Sequence, residues 1–388
     1  MPHSLTSLRI ACAVGALSFA ATAAAQDMYA PRTDWSSFTG GDLNISGFVF
    51  RDVNRNGIYD DDDRTMELIA TQMTSPQGDT LIRWTNFNGF ANFSMAAGDP
   101  EADISNPGVY DFEVIVPGGW EVTTGNVLQA KRFNVTPGAI ADMSADPPFF
   151  PVGLAPTLTI SGTVPETNGE TRVSIRPPSG EWGQMGQAGI TQFRIPVEPG
   201  EWQIRMDSDD GRQSVTRSVT VTEFPVQLSA GGTGAGEHQD GDVVIDFDDI
   251  TSRDIKEMPN GVGGLMWWNM IAYEAGQPAY TNNSVSGEFV GYNSSGHPAR
   301  IWNPEPFSFV GGHFGVAWRR AHGETLRLRG YRRGELVYED AITLSYLGPV
   351  WFQADYRDID RLDLATDHYW QFVTDDLSFV VPKPVSFE

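Results

Sequence analysis

Cysteine is almost missing from this sequence. The single one, Cys12, sits in an apolar N-terminal run, so everything after it is free of disulfides. Exported domains with thin cores commonly use that crosslink. Here each unit must instead be held by its own core, by bound metal or by packing on its neighbours. Lysine is nearly as scarce, with Lys131, Lys256 and Lys383 the full set. Lys and Arg total 26 against 50 Asp and Glu, a formal net charge of −24. No part of the chain is basic, which excludes the electrostatic footprint of a nucleic-acid-binding protein. An acidic surface suits solubility, salt tolerance or divalent cations and says little about fold. The histidines after the N-terminal run (His238, His297, His313, His322 and His368) are scattered. No Gly-x-Ser-x-Gly elbow or His-Glu-x-x-His zinc site can be read. His313 and His322 form a pair only if the fold brings them together. Past residue 25 no segment is apolar for long enough to span a bilayer, and helical periodicity is nowhere sustained.

Residues 1–25 read as a secretory signal. Arg9 precedes the apolar run Ile10 to Ala21, and Ala23 and Ala25 take the small-residue places of a cleavage site. Cys12 comes before most of that run, the wrong order for a lipid anchor. The expected location is therefore secreted, extracellular or on the cell surface, with residues 26–42 a polar lead-in.

What is present is led by Asp52 to Asp63, Asp-Val-Asn-Arg-Asn-Gly-Ile-Tyr-Asp-Asp-Asp-Asp. Asp52, Asn54 and Asn56 stand at positions one, three and five, and Gly57 follows where an oxygen-ligand loop turns sharply. Ile58 offers a backbone carbonyl at seven, Asp60 stands at nine and Asp63 at twelve. This is the spacing of an EF-hand-type Ca²⁺ loop, with Asp in place of the final Glu. A solvated acidic turn is the alternative, since Asp, Asn and Gly are ordinary turn residues. A strand feeds the loop and no helices flank it, so a structural clamp is expected rather than a calcium sensor.

Leu43 to Phe50 alternates as a half-buried strand, with Ser46-Gly47 a candidate bend. Short strands follow at Met66–Met73, Thr80–Thr85, Phe90–Met95, Tyr110–Val116 and Val127–Val135, the pattern of an antiparallel sandwich. Gly47-Phe-Val-Phe-Arg-Asp-Val-Asn-Arg-Asn-Gly-Ile-Tyr-Asp, Thr85-Asn-Phe-Asn-Gly-Phe-Ala-Asn-Phe93, Pro107-Gly-Val-Tyr and Pro117-Gly-Gly-Trp120 resemble in order the SdrD B-like or Cna B-like repeats of bacterial surface proteins. That resemblance implies a small calcium-binding β-sandwich acting as a spacer or adhesive module over residues 43–150. No lysine lies on the opening strand, so the intramolecular isopeptide of some Cna B relatives is not expected.

Residues 151–228 echo this unit without its loop: Ile160-Ser-Gly-Thr-Val164 parallels Ile45-Ser-Gly-Phe-Val49, and Pro199-Gly-Glu-Trp parallels Pro107-Gly-Val-Tyr. They resemble the carboxypeptidase-regulatory or transthyretin-like group. Residues 229–241, rich in glycine, read as a flexible linker. The part at 242–382, opening on Asp-Phe-Asp-Asp-Ile and closing on Asp-Asp-Leu, resembles the jelly-roll ectodomain of exported bacterial proteins. The tail 383–388 shows no sorting-signal helix.

The expected architecture is all-β: two sandwiches and a jelly roll. Aromatic residues crowd the last part, and flat aromatic faces on jelly rolls stack on sugar rings. Trp267, Trp268 and Trp302 are the candidate ligand-binding residues, while Trp318 and Trp351 fit buried strands. Asp246, Asp248, Asp249, Asp375 and Asp376 are a candidate second metal set or a solvated acidic face. Arg327, Arg329, Arg332 and Arg333, with Glu324, Glu335 and Glu339, read as a surface charge ladder. The functional expectation is a non-catalytic binding or adhesion protein, its partner a polysaccharide or another surface protein. A glycan hydrolase or lyase using carboxylates, or a structural matrix protein, are the competing classes.

Overall fold

The computed structural model describes residues 43–95, 103, 108–124, 130–135, 149–164, 171–185, 191–208, 214–230, 243–251 and 255–382. The expected signal, the lead-in, the tail and most of the glycine-rich stretch lie outside the described residues. The fold is all-β: the only helical pieces described are three-residue 3₁₀ turns. No described helix is long and apolar enough to cross a membrane.

The first unit comprises β1 (Leu43–Arg51), β2 (Arg64–Thr65), β3 (Ala70–Thr74), β4 (Thr80–Trp84), β5 (Phe90–Met95), β6 (Gly108–Val114), β7 (Trp120–Val122), β8 (Ala130–Val135) and β9 (Phe149–Pro156). Strand β1 takes β5 and β2 along one edge and β9, in parallel, along the other. The order β4-β3-β6-β8 makes the facing sheet. Val49, Phe93, Phe112, Val152 and Leu154 fill the space between them. The Ser46-Gly47 bend does not occur, because β1 pairs with β5 without interruption from Leu43 to Phe48. The alternation breaks for another reason. Gly47 lies under the Phe112 ring, where a Cβ would stand 2.2 Å from Cζ. Phe48 and Phe50 point the other way, beneath the edge-on ring of Tyr59. Because β9 belongs to this sheet, the boundary expected after residue 150 moves beyond Pro156.

The second unit comprises β10 (Thr159–Thr163), β11 (Thr171–Arg176), β12 (Gly183–Met185), β13 (Gln192–Pro196), β14 (Gly200–Ser208), β15 (Ser214–Val221) and β16 (Val226–Leu228). Sheets β13-β10-β16 and β12-β11-β14-β15 enclose Ile160, Val173, Ile204, Val219 and Leu228. Strand β16 then pairs in parallel with a strand of the last unit, joining Val226 to Trp351 and Leu228 to Gln353. Two sheets are therefore continuous. The linker expected from residue 229 does not begin there: Ser229 is buried and donates through Oγ to Asp340, and the Ala230 amide donates to the same carboxylate.

The third unit comprises β17 (Val243–Ile245), β18 (Ile255–Glu257), β19 (Met266–Trp268), β20 (Met270–Glu274), β21 (Phe289–Asn293), β22 (Ala299–Val316), β23 (Thr325–Arg332), β24 (Glu335–Thr343), β25 (Val350–Thr366) and β26 (Phe372–Val380). The long strands β22 and β25 run through both layers of a sandwich. Register shifts between Trp302 and Gly311 turn the sheet. Their early and late halves pair with β19 and β23 on one side and with β26 on the other. Ile301, Leu328 and Leu362 from the first layer meet Phe309, Phe314 and Phe379 from the second. Arg333 and Gly334, both at positive φ, make the two-residue β23–β24 hairpin.

The first unit docks on the third through the turn Thr281–Asn283. Asn282 exchanges hydrogen bonds with the Glu67 backbone, and Glu67 Oε2 accepts from the Ala279 amide. Arg51 donates to the Ser284 carbonyl at 2.6 Å and the Asn282 carbonyl at 3.3 Å. Its guanidinium also lies over the Phe224 ring of the second unit at 4.8 Å. All three units meet at this side chain.

Candidate functional site: an aromatic and arginine face on the third unit

Cross-strand partners share a face of a sheet, so the register defines what β19, β22, β25, β23 and β24 present together. One row runs Trp268, Arg300, Asp363, Arg329, Glu339, and the next runs Met266, Trp302, Arg361, Tyr331, Leu336. The alternate residues Trp267, Ile301, Leu362 and Leu328 point inward and are buried. This inward alternation fixes the outward set.

The outward side chains hold one another. Arg300 Nε donates to Asp363 Oδ1 at 2.8 Å, which raises the Arg300 pKa further. Arg361 Nε lies 3.4 Å from the other oxygen of Asp363. The Arg361 guanidinium covers Tyr331 at 3.8 Å, and Arg300 stands 6.0 Å over the Trp268 ring. Arg329 pairs with Glu339 at 2.8 Å. Beyond Trp302 the pairing of β22 with β25 breaks through Asn303 and Pro304, and a cavity of about 590 Å³ opens there. Trp268, Trp302, Arg300, Arg361, Asn303 and Asp360 line it. Breaks of this kind recur where a strand re-aims side chains beside a site. The result is two tryptophan rings, two guanidinium groups and the Asp360 carboxylate around one open cavity, with Asp363 pairing the two arginines.

Of the expected ligand-binding tryptophans, Trp268 (52% exposed) and Trp302 meet here and Trp267 does not. Trp267 is core, with Nε1 donating to the Val262 carbonyl. Adjacent residues on a strand face opposite sides, so both tryptophans could never have shared the surface. Trp318, expected in the core, is 43% exposed where β22 has ended. Arg300, Arg361, Asp363 and Tyr331 carry no sequence signal that groups them as site residues. They are far apart in sequence, and only the register joins them.

The loop Asp52–Asp63 closes through its own side chains. Asp52 accepts from the Asn56 and Gly57 amides, and Asp63 from those of Val53 and Asp60. Asp60 Oδ2 accepts from the side-chain amides of both Asn54 and Asn56. Gly57 has φ 75. Burial pushes the Asp63 carboxyl up to about 6, with Asp52 and Asp60 adding to the effect. The donors are hard oxygens in the order a Ca²⁺ loop uses, and the crowded carboxylates are what a cation would relieve. Glu67, the other acidic residue near the end of the loop, is engaged at the Ala279 amide. Among the described residues, no three or more His, Cys, Asp or Glu side chains form a ready metal cluster.

The second acidic set is not assembled as a ligand sphere. Asp375 is fully buried, and its two oxygens accept from the Val285, Ser286 and Asp376 amides. Asp248 accepts from the Glu288 and Phe289 amides, while Asp246 accepts from the Asp248 amide. Asp249 is exposed. These carboxylates stitch loops to the sheet. His313 and His322 do not pair either: the first packs on Trp351 and Phe224, the second on Tyr346.

No family model matches this chain, and no curated protein matches it. Similar solved structures include the TIE protein of Bacillus anthracis, at 12% identity and a TM-score of 0.20, covering 47% of this chain and 33% of that one. A structure of CBM51-2 in complex with GlcNAc and INT domains, from Clostridium perfringens ZmpB, is 12% identical with a TM-score of 0.23, covering 48% and 38%. A DUF3823 family protein from Bacteroides ovatus is 10% identical with a TM-score of 0.17, covering 45% and 97%. The chain thus spans 33% and 38% of the length of the first two. At these TM-scores the likenesses assign neither ligand nor activity.

Proposed function

We propose that the protein is an exported, non-catalytic carbohydrate-recognition protein whose binding surface is the Trp268–Trp302 face. The carrying observation is the convergence of Trp268, Trp302, Arg300 and Arg361 on one open cavity, the two guanidinium groups being paired by Asp363. Tryptophan rings offer apolar planes to the C–H faces of a pyranose. The Arg300–Asp363–Arg361 group offers donors and acceptors to its hydroxyls, already oriented by the Arg300–Asp363 hydrogen bond and the Arg361–Asp363 ion pair, which lowers the ordering cost of binding. The first two units, joined to the third by the β16–β25 pairing and by Arg51, act as a stiff stalk. A glycan array probed with the full chain tests this. Binding to one class of polysaccharide is the expected result; silence across the array with capture of a protein ligand overturns it.

The Asp52–Asp63 loop completes this reading as a structural Ca²⁺ clamp. Asp52, Asn54, Asn56, Asp60, Asp63 and the Ile58 carbonyl would hold the ion, and its charge would tie the β1 end to the Tyr59 cover over Phe48 and Phe50. A ligand at a hundred times its Kd stabilises by about 2.7 kcal/mol. Chelation is therefore expected to lower the melting temperature of the full chain by several degrees. Asp52→Ala also strips acceptors from the Asn56 and Gly57 amides, so the diagnostic is the calcium-dependent difference, lost in Asp52→Ala and Asp60→Ala alike. Identical melting with calcium and with chelator in the unaltered chain contradicts the clamp.

A further inference from the structure

A second cavity, of about 520 Å³, lies where the three units come together, away from the Trp268 face. Its lining contains no Asp or Glu, in a chain that carries 50 of them. The floor is one cross-strand row: Arg194 on β13, Ser161 on β10 and Gln227 on β16 are register partners and share a face. Gln227 Nε2 donates to the Ala341 carbonyl at 3.0 Å, which carries the row onto β24 of the third unit. Trp120 comes from the first unit and His322 from the third. Trp120 lies so close to Gly348 that a Cβ there would stand 3.1 Å from its ring, so glycine lets the indole seat. Arg194 is exposed, and its guanidinium has no hydrogen bond or ion pair among the described residues.

We propose that this cleft is a second binding site, for a uronate-bearing oligosaccharide. Its volume falls inside the range of about 300–1,000 Å³ typical of small-ligand pockets. The Trp120 ring supplies a stacking plane. Ser161, Gln227 and the His322 imidazole supply hydrogen-bonding groups for hydroxyls. The Arg194 fork matches a carboxylate bidentately, a geometry lysine does not offer. On a surface of net charge −24 an anion is repelled from most places, and an acid-free cleft with an uncommitted guanidinium is where one is accepted. The site is independent of the Trp268 face, since no residue lines both cavities.

Titration calorimetry of the full chain with oligogalacturonate, and with the same oligomer after its carboxyl groups are reduced to alcohols, tests the assignment. Trp268→Ala is expected to leave oligogalacturonate affinity unchanged. Arg194→Gln, an exposed substitution, is expected to weaken it about tenfold or more, equivalent to about 1.4 kcal/mol. The reduced oligomer should bind the unaltered chain at least about tenfold more weakly. No oligogalacturonate binding, equal affinity for both oligomers, or an unaffected Arg194→Gln overturns the proposal. Loss of binding in Trp268→Ala would also overturn it, by placing the acidic sugar on the other face.

Discussion

Arg51→Ala is expected to separate the first unit from the rest of the molecule. Arg51 closes β1, yet its side chain leaves its own sandwich and is 2% exposed. It donates to two carbonyls of the third unit and covers an aromatic ring of the second. Burial lowers its pKa to about 10, against the opposing pull of Glu223, so it remains charged at neutral pH. Removing the cation leaves the Ser284 and Asn282 carbonyls short of a donor and Glu223 without its strongest counter-charge. Breaking one partner of a buried charged set typically costs about 3–5 kcal/mol. Urea unfolding followed by fluorescence should show an early transition for the substituted chain. Arg51→Lys should rescue little of it, because a point charge cannot reach both carbonyls as a planar fork does. An unchanged single transition in Arg51→Ala would mean that the three units are not held together at this residue.

The same junction is expected to make stability fall in acid through His313. This imidazole has 12% of its side chain exposed and packs against Trp351 and Phe224. Burial, helped by Arg51, lowers its pKa to about 3 from a usual 6.5. The folded form therefore keeps the ring neutral while the unfolded chain takes up a proton. The contribution is fully present above about 6.5 and is lost toward pH 3, at about 1.4 kcal/mol per unit. Arg51 and Asp376 face it, Asp376 at 4.0 Å; Asp375 is its cross-strand partner, and Glu223 acts on Arg51 behind it. The three acids are shifted upward by burial, so they oppose this slope: each costs stability as pH rises through its ordinary range. The contrast with His313→Gln isolates the histidine, because glutamine cannot titrate. The stability difference between the unaltered chain and His313→Gln should change by about 3 kcal/mol between pH 7 and pH 4, against the unaltered chain in acid. Parallel pH profiles would show that His313 is not buried neutral.

What the sequence disclosed follows from the range over which each signal acts. The all-β class is written in short alternating runs between turn residues, and the Asp52–Asp63 spacing is local, so both are legible in one pass. Trp268 and Trp302 stand out as aromatics beside turn-rich loops. Trp267 lies in a three-residue strand, too short for its facing to be legible in the sequence. Arg300, Arg361 and Asp363 could not be grouped without knowing that β22 pairs with β25 and which residues face one another. The same limit hid the boundaries. Strand β9 joins the first sheet by parallel pairing with β1, and β16 joins β25 across more than a hundred residues. Neither leaves a compositional mark, whereas glycine content near 229 does, so composition starts a linker at residues still held by the third unit. Arg51 is a final case: beside an acidic loop it resembles any strand-end arginine, and only the packing of three units explains its burial.

Recognition by the Trp268 face is tested most directly by an affinity comparison in titration calorimetry. Using the glycan found to bind the full chain, the unaltered protein would be measured beside Trp268→Ala, Trp302→Ala and Trp318→Ala. Trp318 serves as the control, being exposed but outside the cavity. Anchoring aromatics at binding sites typically carry 2 kcal/mol or more, about thirtyfold in affinity. The prediction is a loss of that order for Trp268→Ala and Trp302→Ala and none for Trp318→Ala. Equal affinities across all four proteins, or a loss confined to Trp318→Ala, would contradict it.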